Sequence, residues 1–587
     1  MAGPGLRRRA VTNQALANLF REIADMLDIL GEDPFRALSY ARASRAIEGL
    51  TEDVAGLVAA GRLSEIPGIG SALADKIREF VETGAVGFHG ELRARLPSGL
   101  LDLLSIRGLG PKKVRVLWQD LGIADVETLR QAVTSRRLRR LKGFGEKTEA
   151  NLLRAIELRA EGESRALLWD ARAVVARVLD HLRTHSPVER AEAAGSFRRG
   201  RETVGDVDIL AIAKDRAAVS RAFVSMPGVR EVVAAGETKA TVLLEYADYV
   251  DERPRTVQVD LRILEARSWG AGLQYFTGSK DHNVHLRGIA QSMGLKLNEY
   301  GVFRGEEPVA GETEEGVYAA LGLPWIPPEM REDEGEIDLA REGALPKPLK
   351  GSDVKGDIHV HTDATDGTEP LEAMVDAARR RGYAYVGISD HSVSATVAFG
   401  LTADRALARR DPVREINARS PGLTVLLGTE CDILDGGAMD YPDEALREFD
   451  FVLASVHSKF TLPRKEMTAR LVAAVENPHV DVLGHPTTRL IGRRDPIDVD
   501  LAEVFAACSR AGTAVEVNGY PNRMDLDGRL AREAKKAGCR LVLDTDSHAS
   551  AELDAMALAV ATARRAWLTP DDIVNAWPLE RVREFFG

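Results

Sequence analysis

Over the first 160 residues, apolar positions recur at three- and four-residue intervals in short runs, which predicts a set of short amphipathic helices. A motif of the form apolar-x-Gly-apolar-Gly interrupts them three times, as Ile66-Pro67-Gly68-Ile69-Gly70, Ile106-Arg107-Gly108-Leu109-Gly110 and Leu141-Lys142-Gly143-Phe144-Gly145. Each copy runs into a helical stretch, and Pro111 stands at a favoured first helical position. From about residue 165 the pattern becomes a mixture of helices and period-two strands, the latter at Val207–Ile212, Ala240–Leu244 and Val257–Ile263. A Pro-rich, acidic passage from Leu323 to Pro348 suits a linker or an extended strap over a surface. Beyond Gly351, seven apolar runs alternate with helical stretches, which predicts a barrel of the (β/α) type with seven units instead of eight.

Length and charge sharpen this division. A chain of 587 residues exceeds what one hydrophobic core organises, so several domains are expected. With 44% apolar and 29% charged residues, most of it should fold. Three cysteines without close spacing indicate neither a disulfide framework nor a thiolate zinc site, and a reducing cytoplasm fits. Arg7, Arg8 and Arg9 have no apolar stretch behind them, and no segment is long and apolar enough to span a bilayer. The net charge of -12 conceals a gradient: residues 1–160 carry 25 basic and 20 acidic side chains, 25 - 20 = +5, leaving -12 - 5 = -17 for the rest. A basic front suits a polyanion; an acidic back suits cations.

The chemistry-bearing residues fall into three groups. In each glycine hairpin, the paired glycines (Gly68 and Gly70, Gly108 and Gly110, Gly143 and Gly145) allow a tight turn whose amide N–H groups and following helix face a phosphate. A single such turn is commonplace; three in the basic segment, each followed by a basic residue, resemble helix-hairpin-helix DNA-binding motifs. In the middle region, strand parity puts Asp206 and Asp208 on one face, and Asp260 with Gln258 and Arg262 on the face opposite Val257, Val259, Leu261 and Ile263. Three carboxylates at one sheet surface repel one another unless cations join them, and two Mg²⁺ or Mn²⁺ ions are the usual solution in nucleotidyl transfer. Asp-x-Asp alone is more often a solvated strand edge. The preceding Gly195-Ser196-Phe197-Arg198-Arg199-Gly200 adds a turn, a hydroxyl and two guanidiniums suited to a triphosphate.

The third group is the most specific. Six of the seven histidines after residue 351 stand at predicted strand ends, and only His479 does not. One such histidine is more often a satisfied core residue; six mixed with carboxylates suit Zn²⁺, Mn²⁺ or Fe²⁺.

Taken in order, Gly195-Ser196 through Asp206-x-Asp208, Tyr275-Phe276-Thr277-Gly278-Ser279, Asn283, Arg287 and Asn298-Glu299-Tyr300 resemble the signatures of family X DNA polymerases, the DNA polymerase beta-like enzymes. The strand-end set resembles the polymerase and histidinol phosphatase (PHP) superfamily. These resemblances imply that Asp206, Asp208 and Asp260 are the catalytic metal-binding carboxylates. Gly195, Ser196, Arg199, Gly205, Tyr275, Phe276, Gly278 and Asn283 would contact nucleotide, and Arg287 and Lys76 would contact DNA. Lys76 also matches the family's Schiff-base lysine, but Ala72 replaces a supporting lysine, so a phosphate contact is the favoured reading. Two further departures are Gln258 in place of an arginine and Lys280 in place of an aspartate, which leave nucleotide affinity and metal preference open.

In the barrel, the implied ligands of up to three Mn²⁺ or Zn²⁺ ions are His359, His361, Asp366, His391, Glu430, His457, His485, Asp546 and His548. The implied organisation is a lyase-like helical domain (1–90), a helix-hairpin-helix subdomain (91–160), an α+β nucleotidyltransferase palm (161–265), a nucleotide-selection subdomain (266–328), a linker (329–350) and a distorted (β/α)7 PHP barrel (351–587). The implied function is a monomeric, cytoplasmic gap-filling DNA polymerase of DNA repair. It would carry 3'-5' exonuclease, abasic-site endonuclease and 3'-end processing, and act on gapped or nicked duplex DNA and deoxynucleoside triphosphates. The alternatives are a DNA-binding phosphoesterase with a vestigial polymerase and a DNA-end scaffold without turnover.

Overall fold

A computed structural model of the chain describes residues 13–48, 54–66, 68–106, 109–141, 144–146, 148–149, 152–153, 156, 165–419 and 422–587. It forms two compact units, Met1–Glu161 and Gly162–Gly587.

The described part of the first unit is helical, and its core gathers Phe20, Met26, Ile77, Leu103, Leu117 and Leu138. The repeat is legible in three dimensions. In each hairpin the apolar residue between the glycines is pulled inside, as Ile69, Leu109 and Phe144. Its N–H donates to the carbonyl three residues earlier: Ile69 to Ile66 at 3.1 Å, Leu109 to Ile106 at 3.0 Å and Phe144 to Leu141 at 3.2 Å. Burying one anchor forces the turn outward. Gly70 and Gly110 cap the helices Ser71–Thr83 and Pro111–Leu121 in extended conformation, and left-handed Gly84 and Gly122 close them. Gly108 and Gly143 lie outside the described residues.

The second unit opens with a five-stranded sheet in the order Val188–Ala193, Asp206–Ala213, Pro254–Leu264, Lys239–Ala247, Val229–Ala235. The two central strands run parallel and all other pairs antiparallel. Val207, Ile209, Val257, Val259, Leu261 and Ile263 enter one core with Val174, Val178 and Phe223 from the covering helices. Alongside are the helices Trp269–Thr277 and Lys280–Ser292, a small antiparallel sheet and the helix Glu314–Ala320. Arg198 ties the two parts together with a fork onto Glu314, both bonds at 2.8 Å.

The passage expected as a linker or strap is a strap. Ile326, Met330, Ile337 and Ala340 join the same core as Val317 and Tyr318, and Trp567 of the barrel packs against it. Arg331 is fully buried beside Glu314 (2.7 Å), and Arg564 forks onto Glu329 at 2.7 and 3.0 Å. Apolar residues between the prolines and acids that meet arginines on both sides give this stretch a defined path that composition alone does not reveal.

The C-terminal part is a seven-stranded, wholly parallel sheet in sequential order: Gly356–Val360, Tyr385–Ile388, Thr424–Asp432, Phe451–Ser455, Val482–Leu483, Ala514–Asn518 and Leu541–Asp544. A bridge between Val360 and Ser547 brings first and last strands together, and His361 N–H donates to Ser547 at 2.9 Å. The result is a nearly closed (β/α)7 barrel, as the seven alternating runs predict. Cys431, Cys508 and Cys539 are buried and free. Among the described residues no helix is long and apolar enough to cross a membrane.

Candidate active sites: three carboxylates and an imidazole-rich centre

The palm strands place the three acids by register. Asp208 lies directly opposite Asp260 and Asp206 opposite Gln258 on the parallel neighbour, so alternation turns all three carboxylates to one face. One oxygen from each lies within 4.8 Å of the others. Burial, then Asp206 and Asp260 beside it, pushes Asp208 up to about 6, the response of a carboxylate poised for a cation. Asp260 is held by its neighbours: Thr241 donates its hydroxyl, and Gln258 Nε2 donates at 2.8 Å to the other oxygen. The departure at Gln258 thus positions the third acid. Gly195 has φ +63°, and a Cβ there would collide with Asp208 Oδ2, so the turn before the acids accommodates only glycine.

The residues expected around a nucleotide have distinct surroundings. Arg198 is spent on Glu314, whereas Arg199 donates Nη1 to the Thr277 carbonyl at 2.5 Å and Nε to Glu332 at 3.1 Å. Gly278, at φ +69°, stands where a Cβ would lie 3.1 Å from that same guanidinium. Ser196 sits in the short helix Gly195–Arg198, and Gly205 lies beside Arg165, which sequence reasoning did not single out. Tyr275 and Phe276 pack edge to face, with Arg262 over the Phe276 ring at 4.5 Å. Asn283 donates to the Tyr275 carbonyl at 2.8 Å and accepts from Gln274 at 2.7 Å, so it fixes the aromatic segment. Arg287 is half-buried on the following helix. A cleft of 1090 Å³ opens beside these elements, lined among others by Lys239, Arg262, Phe276 and Tyr300.

In the first unit, Cβ positions built on Gly70, Gly110 and Gly145 meet nothing within 4 Å, so the hairpin turns are open to a backbone approaching from outside. Lys76 pairs with Glu79 at 3.2 Å on a partly exposed helix face.

In the barrel, all nine expected ligands meet at the C-terminal mouth. Three groups emerge, His361/Asp366/His391/His548, His359/His361/Asp546 and His391/Glu430/His457, while His485 Nε2 lies 2.8 Å from Glu430. His359 Nε2 is 3.4 Å from both Glu430 and Asp546; His361 Nε2 is 3.2 Å from Asp546 and 3.5 Å from Glu430. Ligand atoms about 2.1 Å from one ion are separated by about 3.4 Å in tetrahedral geometry, so the spacing fits a metal.

The unmet bonding capacity fits too. His359 Nε2, both His361 nitrogens, Asp366 Oδ1 and Glu430 Oε2 are buried without a hydrogen-bond partner, a costly arrangement unless a cation satisfies them. Burial, with His548 and His391 stacked on either side at 4.4 Å, pushes His361 down to about 4, keeping it neutral and able to ligate. Burial lowers His548, but Asp366 and Asp546 beside it outweigh that and push it up to about 9.

A supporting shell escaped sequence reasoning. Glu516 accepts from His359 Nδ1 at 2.5 Å, Asp432 meets His457 Nδ1 at 2.8 Å, and Arg523 lies 3.2 Å from Asp546. Asp544 is fully buried behind Glu516 and His359. The signal for Glu516 was present in a charged residue inside the apolar run Ala514-Val515-Glu516-Val517, but it reads as a strand end until His359 is seen opposite it.

Comparison with known proteins agrees with this architecture. Models for a helix-hairpin-helix domain, a SAM-like helix-hairpin-helix tandem, the DNA polymerase beta palm, the DNA polymerase beta thumb and the PHP domain match residues 11–86, 100–158, 169–245, 272–332 and 357–519. The chain thus joins a polymerase-beta-type palm and thumb to a PHP barrel. The DNA polymerase/3'-5' exonuclease PolX of Bacillus subtilis (strain 168) is 34% identical over 575 residues, 97% of this chain and 98% of that protein. The chain belongs to the PolX family. DNA polymerase lambda of Rattus norvegicus is 26% identical over 55% of the chain and 58% of its own length. A probable phosphatase of Acetivibrio thermocellus is 31% identical over 34% of the chain and 80% of its own length.

Proposed function

We propose that the chain is a DNA-directed DNA polymerase that fills short gaps in repair and carries a metal-dependent 3'-5' exonuclease and phosphodiesterase in its barrel. The observation that carries this reading is the presence, in one unit, of a complete carboxylate group on the palm and nine ligating side chains at the barrel mouth.

On the palm, Asp206, Asp208 and Asp260 would hold two Mg²⁺ or Mn²⁺ ions, which would supply Lewis acidity at a primer 3'-hydroxyl and countercharge at the α-phosphate. The chain's own contributions are positional. Gln258 and Thr241 fix Asp260, and Arg199 with the backbone from Gly195 to Gly205 receives the β- and γ-phosphates. Tyr275 and Phe276, locked by Asn283, form the wall against which the sugar rests. In the barrel, His359, His361, Asp366, His391, Glu430, His457, His485, Asp546 and His548 would hold up to three Mn²⁺ or Zn²⁺ ions, since imidazole-rich sets favour these over Mg²⁺. Glu516 and Asp432 orient two of the imidazoles, and Arg523 adds a cation beside Asp546.

Gapped or nicked duplex is the proposed partner, held through the three hairpins. Abasic-site cleavage and 3'-end cleaning follow from the same barrel centre, and a monomer in the cytoplasm is the setting that fits. The likeness of the barrel to a probable phosphatase favours a second reading, hydrolysis of phosphomonoesters at 3'-ends. The test offers gapped duplexes with 5'-phosphate, abasic or 3'-phosphate ends with Mg²⁺ and Mn²⁺ separately, following extension and trimming together. Extension with Mg²⁺ and trimming stimulated by Mn²⁺ are expected; failure of either removes that half of the reading.

A further inference from the structure

The turn between two palm strands reaches the mouth of the barrel. Tyr249 lies in that turn, between Lys239–Ala247 and Pro254–Leu264, and it is gripped by the first long palm helix: its N–H donates to Asp170 at 3.2 Å and its ring meets Trp169 edge to face at 5.8 Å. On its other side it contacts the barrel. Its ring lies 6.0 Å from that of Tyr520 at 72°, and Tyr520 lies 5.8 Å from the imidazole of His548, one of the candidate ligands. The Tyr249 hydroxyl donates to Glu552 at 2.5 Å, and the other Glu552 oxygen accepts from His548 N–H at 2.8 Å.

Trp169, Tyr249 and Tyr520 are all half-buried, so solvent still reaches part of each side chain. Each edge-to-face contact covers a face of only one of its two rings, where a stacked pair would cover a face of both. A ladder of neutral aromatic faces beside a phosphodiester-cleaving centre is suited to nucleobases, because every base offers a π-face whatever its sequence.

We infer that Tyr249, with Tyr520 and Trp169, forms a base-stacking subsite for the nucleotides flanking the scissile phosphate of a single-stranded 3'-end, so that the palm supplies one wall of the nuclease site. The inference rests on the nuclease reading of the barrel and names what that site holds besides phosphate. It also gives the docked turn a purpose: a 3'-end at the barrel is read partly by the domain that would extend it.

The experiment compares two single strands, one with ordinary 3'-terminal nucleotides and one whose last two positions are tetrahydrofuran abasic residues, under single turnover with Mn²⁺. Tyr249→Leu, which keeps an apolar side chain but removes the flat face, should slow trimming of the ordinary end about tenfold, in the range of one lost base–aromatic stack. The penalty should vanish on the abasic end, and Tyr249→Phe should recover most of the rate. An equal loss on both ends, or a loss that Tyr249→Phe does not repair, would show that Tyr249 acts only through Glu552 on His548 and would overturn the subsite. A parent protein that trims neither strand would sink the nuclease reading itself and the subsite with it.

Discussion

Arg199 Nε lies 3.1 Å from an oxygen of Glu332, and that same oxygen accepts Arg565 Nη1, from the last long barrel helix, at 3.0 Å. The arginine proposed to receive a triphosphate is therefore fixed by the strap, which is in turn fixed by the barrel. Burial raises Glu332, but Arg199 and Arg565 outweigh it and hold the carboxyl below its ordinary value, so it remains an anion at neutral pH. Arg199→Ala should lower kcat/KM for nucleotide addition about a hundredfold, as expected for a lost charge-assisted contact. Glu332→Gln should raise KM for the nucleotide several-fold with a smaller change in kcat. Steady-state primer extension decides; an unchanged KM in both variants would place the triphosphate elsewhere.

Asp260 faces Asp208 across the parallel pair and is buried, so its loss takes the third anion from the proposed metal site of the palm. Asp260→Ala should depress primer extension about a thousandfold, while 3'-trimming persists because the barrel shares no ligand with the palm. Extension near the parental rate would show that the third carboxylate plays no part.

Why these acids are readable from sequence, and their supports are not, has a physical reason. Strand alternation is local, so Asp206, Asp208 and Asp260 declare their common face through the apolar residues between them. Strand-end histidines declare themselves likewise, since the barrel places every strand end at one mouth. The three hairpins show their buried anchors Ile69, Leu109 and Phe144 by repetition. Glu332, Arg565, Glu516 and Tyr249 carry no such period. Each acquires meaning from a partner between 157 and 303 residues away, such as His359 for Glu516 and Glu552 for Tyr249, and only the folded chain makes that pairing visible. The strap was ambiguous for the same reason, its arginines and acids being satisfied from two sides.

His359 presents Nε2 to the candidate metal centre and Nδ1 to Glu516. His359→Ala should abolish 3'-trimming and lower bound metal, and Glu516→Gln should weaken metal affinity about 10- to 100-fold, the usual cost of losing an orienting carboxylate. Extension on gapped duplex should persist in both. Metal content by elemental analysis, measured alongside trimming, is the check; undiminished metal and activity in His359→Ala would remove this residue from the centre.

Gly70 and Gly110 have extended backbone that any residue adopts, and nothing stands where their side chains would be. The double variant Gly70→Val, Gly110→Val should therefore fold, at a capping cost of about 1 kcal/mol or less per helix, yet hold duplex DNA more weakly on all sequences alike, because phosphate contacts carry no base information. Affinity in the parent should fall steeply with salt. Fluorescence anisotropy over a salt series tests both; affinity indifferent to salt or to the two substitutions would separate the hairpins from DNA binding.

Glu314 joins the palm to its neighbour by taking a fork from Arg198 and a third bond from Arg331, which is itself fully buried. Burial raises its carboxyl, but the two guanidiniums overcome this and bring it to about 2 from the ordinary 4.5. Because the folded value is the lower one, the stabilisation is complete above pH 4.5 and is lost as pH falls from there toward about 2. Glu314→Gln strands the buried Arg331 and the half-buried Arg198 and should cost about 3 kcal/mol at pH 7, lowering the melting temperature clearly. At pH 3 the parent has lost part of the same interaction, so the difference between parent and variant should shrink. Calorimetric scans at pH 7, 5 and 3 follow that difference; a gap that stays constant or widens in acid would mean that Glu314 is not the ionised hub of this junction.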